Sequence, residues 1–145
     1  MTVQHDVRVG DQIVAAEYGP LTIAETVRWA GVQENWDGVH WDRESVREKS
    51  NFRTFIASGT FRQALLVRAL TDWLGPAGTL KKLKIRHVAS TFEGDMQRYS
   101  ARVTDTSADA EGTLISCEVE GVNQHNERII VGSCVLQIRS APKTT

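Results

Sequence analysis

The stretch "TFRQALLVRALTDWLG", from Thr60 to Gly75, sets the strongest constraint on how this chain folds. Arg62, Gln63, Arg68, Thr71 and Asp72 interrupt a helix that is otherwise apolar around most of its circumference, so other structure has to cover it on more than one side. Gly75 and Pro76 stop it, since glycine tolerates the turn at a helix end and proline cannot continue the helix. The cover follows in sequence. "TLKKLKIRHV", "DMQRYSARVTD", "GTLISCEVEGVNQ" and "RIIVGSCVLQIRS" are runs of strand length with partial alternation, separated by polar or glycine-containing turns. One apolar helix followed by four long antiparallel strands indicates an α+β domain in which a curved sheet wraps around the helix. Such a sheet has edges to protect, which points to dimerisation by sheet extension.

Local signals place the remaining elements. The polar "NQHNER" suits a hairpin connection; centred on His125 and Asn126, it gives a pairing sum of 251 and puts Cys117 opposite Cys134 as packed thiols. "DVRVGDQIVAAEYGP" reads as an extended arm ending in a turn at Gly19 and Pro20. Thr22 followed three residues later by Glu25 is a capping box that starts a helix, with Ile23, Val27 and Ala30 as its buried stripe and Gly31 near its end. Asp-Gly within "NWDGVHW" signals a turn, and Asp42 caps a short polar helix, "RESVREK". The tail "APKTT" is expected to be loose.

Residues 1–145 make one domain by size, with its core over about 10–139 and room for one functional site. Lysine and arginine total 17 against 18 acidic residues, a net charge of -1 that gives no global electrostatic case for nucleic acid or an anionic membrane as partner. The start lacks a basic-then-apolar signal segment, and no apolar run approaches the roughly 20 residues of a spanning helix, so the expectation is a cytoplasmic protein. His5, His40, His87 and His125 are dispersed, and the two cysteines form no ligand cluster, which argues for neither a metal nor a redox cofactor.

The candidate chemistry lies in "NWDGVHWD", residues 35–42. A histidine side chain titrates near neutrality and can accept and return a proton, so His40 is the candidate base, with Asn35 and Asp37 as nearby polar partners. The alternative is a histidine that merely completes a turn, with Trp36 and Trp41 as core anchors. Ser58 and Gly59 directly precede the apolar helix, where a glycine lets a ligand approach and the free amides of the first turn carry partial positive charge. Ser58 as a simple helix cap is compatible with that role. Lys81, Lys82, Lys84 and Arg86 form a basic strand that could meet phosphates or an acidic surface, or be only a solvated strand face.

Three segments in order, "VRWAGVQENWDGVHWDRESVREK", "FIASGTFRQALLVRALTDWLG" and "IRHVASTFEGDMQRYSARV", resemble the MaoC-like dehydratase or (R)-specific enoyl-CoA hydratase family of single hotdog domains. The resemblance implies a long antiparallel sheet around one central helix, pairing into double hotdogs, and reversible hydration of an enoyl thioester. It puts the family's catalytic histidine on His40 and the acidic residue after it on Asp42. The family's catalytic aspartate falls on Asn35, an asparagine also found in the mesaconyl-CoA hydratase-like branch, and the histidine of its Ala-His-Gly falls on Ser58. Gly59 matches the glycine whose amide contacts the thioester oxygen. It implies no cofactor beyond the CoA or phosphopantetheine that the substrate carries, and a homodimer or a heteromer with another MaoC-like chain. Some similar small proteins of steroid side-chain breakdown work only beside such a second chain. A non-catalytic subunit, a hotdog thioesterase and a small-ligand binding protein are the alternatives.

Overall fold

The structure, a computed structural model, describes residues 6–140; the tail expected to be loose, 141–145, lies outside the described residues, as does His5. Strand β1 (Gln12–Tyr18) is followed by helix α1 (Ile23–Gln33), a single 3-10 turn (Gly38–His40), helix α2 (Arg43–Lys49) and the long helix α3 (Gly59–Leu74). Strands β2 (Gly78–His87), β3 (Gln97–Ala108), β4 (Gly112–Val122) and β5 (Arg128–Arg139) complete the chain. Every pairing is antiparallel, and the strands lie in the order β1-β3-β4-β5-β2. The opening arm is thus a fifth strand, which covers β3 and itself forms one edge of the sheet.

Helix α3 is held as its composition requires. Leu66, Ala69, Leu70 and Leu74 pack on a continuous row of inward-facing strand residues, among them Val14, Tyr99, Ala101, Val103, Ile115, Val119, Ile130 and Leu136. Alternation along the strands generates that row, and each fully buried leucine contributes about 1.5–3 kcal/mol. The expected register holds in the last hairpin: Cys117 lies opposite Cys134, with both thiols free and buried, and the pairing slips by one residue only between Gly121 and Val122. A smaller core of Leu21, Val46, Phe55 and Ala57 lies beneath the 3-10 turn, flanked by Val39, Phe52 and Phe61. No helix among the described residues is long and apolar enough to cross a membrane.

Two expectations about α1 and its exit need correction. The capping box at Thr22 and Glu25 is present, but Val27 is 39 % exposed and the buried positions are Thr26 and Ala30. Thr26 is tolerated inside because its hydroxyl donates to Ile23 O at 3.0 Å. Trp36 is no core anchor, being 57 % exposed, and its ring lies beside Gly31.

Gly132 of β5 leaves no room for a side chain beside β2: a Cβ there would stand 2.1 Å from Lys84 O. Gly132→Ala should therefore cost about 1–3 kcal/mol, the usual range for overpacking, read as a lowered denaturation midpoint with an unchanged slope.

Candidate active site

Helix α1 ends in a left-handed residue, Glu34 (φ 53), which reverses the chain so that Glu34 N–H donates to Gly31 O and Asn35 N–H to Ala30 O at 3.0 Å. Asn35 is thereby fixed at the helix end. Its side-chain oxygen accepts Asp37 N–H at 3.3 Å, which leaves the amide hydrogens as the free donors of the group.

The next turn aims the imidazole. Asp37 caps the 3-10 segment, its carboxylate accepting Val39 N–H at 3.1 Å, and Asp42 caps α2 by accepting the Glu44 and Ser45 amides. Ile56 N–H donates to Val39 O, and in return His40 Nδ1 lies 2.9 Å from Ile56 O. A carbonyl oxygen only accepts, so Nδ1 carries the hydrogen and Nε2 of the neutral ring is left as the acceptor. The loop opposite is braced from outside: Thr54 Oγ1 donates to Glu93 at 2.6 Å, and Arg43 forms a two-point ion pair with the same carboxylate. The hydrogen bonds from Arg43 and then Thr54 hold the Glu93 carboxyl down at about 2. The unfolded group titrates near 4.5, so this brace is complete above that pH and is lost as pH falls through about 2.

Ser58 caps α3, its oxygen accepting Phe61 N–H at 3.2 Å. The amides of Gly59 and Thr60, at the helix start, have no intrahelical acceptor by position. A hydroxyl network ties this end to α1. Thr60 donates to Gln33 Oε1 at 2.5 Å and accepts from Trp29 Nε1 at 3.1 Å, so the 3.2 Å contact between Ser58 and Thr60 is a donation from Ser58.

His40, Asn35 and Ser58 line one pocket together with Thr26, Trp29, Ala30, Gln33 and Phe61. Its interior, about 10 Å³, has room for about one water. Asp37 and Asp42 are absent from its lining, their carboxylates engaged as caps. Gly59 adjoins Ser58, but the space left by its missing side chain is occupied: the His87 ring lies there, with Nε2 3.0 Å from where a Cβ would stand. Lys81, Lys84 and Arg86 are exposed on the edge strand β2 and do not line this pocket. Lys84 and Arg86 alternate with inward-packed Leu83 and Ile85 and so face outward from the helix. Trp29, Gln33, Thr60 and His87 were not anticipated. The first two share a helical face with Thr26 and Ala30, a period-3.6 signal available in the sequence, whereas His87 meets Gly59 only through the sheet register. Among the described residues no group of three His, Cys, Asp or Glu could hold a metal ion.

The profile of the family described as MaoC like domain matches residues 6–126. No curated protein matches the chain. Among solved structures, the unliganded R-hydratase PhaJ1 from Pseudomonas aeruginosa is 20% identical over 93% of this chain and 84% of its own, with a TM-score of 0.78. The (R)-hydratase from A. caviae involved in PHA biosynthesis is 16% identical over 92% and 98%, with a TM-score of 0.79. The ChsH1-ChsH2 complex from Mycobacterium tuberculosis contains a chain 24% identical over 96% and 100%, with a TM-score of 0.75.

The His40 tautomer can be read directly. Imidazole nitrogen NMR of the neutral ring should show hydrogen on Nδ1 and none on Nε2; the reverse pattern would contradict the Ile56 contact.

Proposed function

The chain belongs to the family of MaoC-like domains, and on that premise we propose that it catalyses the reversible addition of water to the double bond of an enoyl thioester. The observation that carries this reading is a His40 ring locked through Nδ1, with Nε2 free, in a pocket with room for about one water beside Asn35. In hydration, the Asn35 amide holds the water and His40 Nε2 takes its proton as the oxygen bonds to the β-carbon. The electron pair of the double bond moves onto the thioester oxygen as an enolate, which the Gly59 amide stabilises at the start of α3. The proton taken by His40 then passes to the α-carbon, the carbonyl re-forms, and the imidazole is restored. Asparagine exchanges no proton at neutral pH, so one imidazole serves both transfers. Asp37 adds little to this scheme, since its carboxylate is engaged by Val39 N–H.

The substrate is an acyl thioester of CoA or of a phosphopantetheine-bearing carrier, with no further cofactor. Lys81, Lys84 and Arg86 are proposed to meet its phosphates from the exposed face of β2. Cations on an edge strand also limit uncontrolled strand pairing, so the same residues bear on assembly. A second reading, a subunit that works only beside another MaoC-like chain, is favoured by Asn35 standing where a carboxylate would transfer a proton. The ChsH1-ChsH2 neighbour, a complex of two chains, is consistent with it.

Crotonyl-CoA and a longer enoyl-CoA should lose their enoyl absorbance when mixed with the purified chain. His40→Ala should lower that rate by about 10²–10⁴, the scale of general acid-base assistance. An unchanged rate in the variant would sink the assignment, and free CoA among the products would indicate thioester hydrolysis instead. Activity only after a second MaoC-like chain is added would establish the partner-dependent form.

A further inference from the structure

The first turn of α3 has two sides. Ser58 and Phe61 face the His40 pocket, whereas Gly59 and Arg62 face the end of β2 and the segment after it. Arg62 is only 5 % exposed. One of its terminal nitrogens donates to Ala89 O at 2.6 Å, Nε has no partner, and among the described residues no carboxylate pairs with it. Burial pulls its pKa down from the ordinary value, yet a guanidinium stays charged in proteins. A buried charge with no counter-ion is costly and calls for a use.

His87 supplies the second observation. Its partner across the sheet is Ile130, a core residue, so the ring points to the helix side and rests where Gly59 has no side chain. Although His87 as a whole is exposed, desolvation of its ring on the helix side, and then the Arg62 charge, hold its pKa below the usual histidine value. Arg62 is the charged group facing His87 from α3, the β5 neighbour is apolar, and the Tyr99 phenol on β3 is kept protonated by burial.

We propose that Arg62 and His87 are positioning residues of the thioester-binding end of α3: the buried guanidinium adds its charge to the helix N-terminus, and the imidazole wedges against Gly59 to hold the first-turn amides in place. The inference rests on the hydratase reading. A thioester oxygen carries little charge in the ground state and a full one in the enolate, so a fixed cation one turn into the helix acts on the reaction rate more than on substrate binding.

The test uses Arg62→Met and Arg62→Lys, with Arg62→Gln should the methionine variant not fold, each checked by thermal melting. Acetoacetyl-CoA serves as the probe, because its enolate has its own ultraviolet band. The wild type should enrich that enolate on binding. Arg62→Met should reduce the enrichment, and kcat on crotonyl-CoA, by roughly tenfold while KM stays within about twofold. Arg62→Lys, which keeps the charge, should recover most of both, and the His87 imidazole should titrate at higher pH in Arg62→Met than in the wild type. A folded Arg62→Met with unchanged enolate band and kcat, or an Arg62→Lys as impaired as Arg62→Met, would overturn the proposal alone. A wild type that neither hydrates crotonyl-CoA nor enriches the enolate, both alone and with a second MaoC-like chain added, would remove the hydratase reading and the proposal with it.

Discussion

Burial of α3 in the hollow of the sheet is the constraint on which everything else depends. Leu66, Leu70 and Leu74 cannot be left in water, and a single flat surface would leave part of the helix uncovered. Five strands curved around it, with inward rows set by period-2 alternation, solve that problem, and they also fix where the helix begins. The start of α3 lies against the loop from Phe55 to Ala57, which is in turn held by the 3-10 turn on one side and by residues 91–93 on the other. The amide end of a buried helix is therefore held in one place by the same packing that stabilises the domain.

Function is built at that end from short-range devices. A capping box starts α1, a left-handed residue ends it, and an aspartate cap begins the turn that carries His40. Each of these satisfies backbone groups that would otherwise be unpaired, so the positions of Asn35 and His40 follow from the hydrogen-bond needs of the termini. The Ile56 carbonyl then chooses the imidazole tautomer. Trp29, Gln33 and Ser58 of the pocket lining are joined through Thr60 behind them in a hydrogen-bond network that couples two helices through side chains alone.

What the sequence made legible was what depends on near neighbours. Thr22 with Glu25, Asp42 before its helix and Ser58 before α3 are caps whose chemistry is written within four residues. The Cys117–Cys134 pairing followed from a short polar hairpin, because a hairpin transmits its register along both strands. The family resemblance supplied the hotdog arrangement, which these signals alone left as one α+β solution among several. Features that hung on distant partners were hidden. The opening arm pairs with β3 some eighty residues later, and Gly59 accommodates a histidine from β2. Asp37, close to His40 in sequence, commits its carboxylate to the turn it caps.

The central claim is that one imidazole, His40, both takes the proton from water and returns a proton to the α-carbon. Hydration of crotonyl-CoA in deuterium oxide tests it most directly, with proton NMR of the 3-hydroxybutyryl product reading the geometry at the α-carbon. A single base on one face of the double bond predicts that hydroxyl and deuterium add to the same face. Addition to opposite faces would require a second proton donor across the substrate, and would contradict the account.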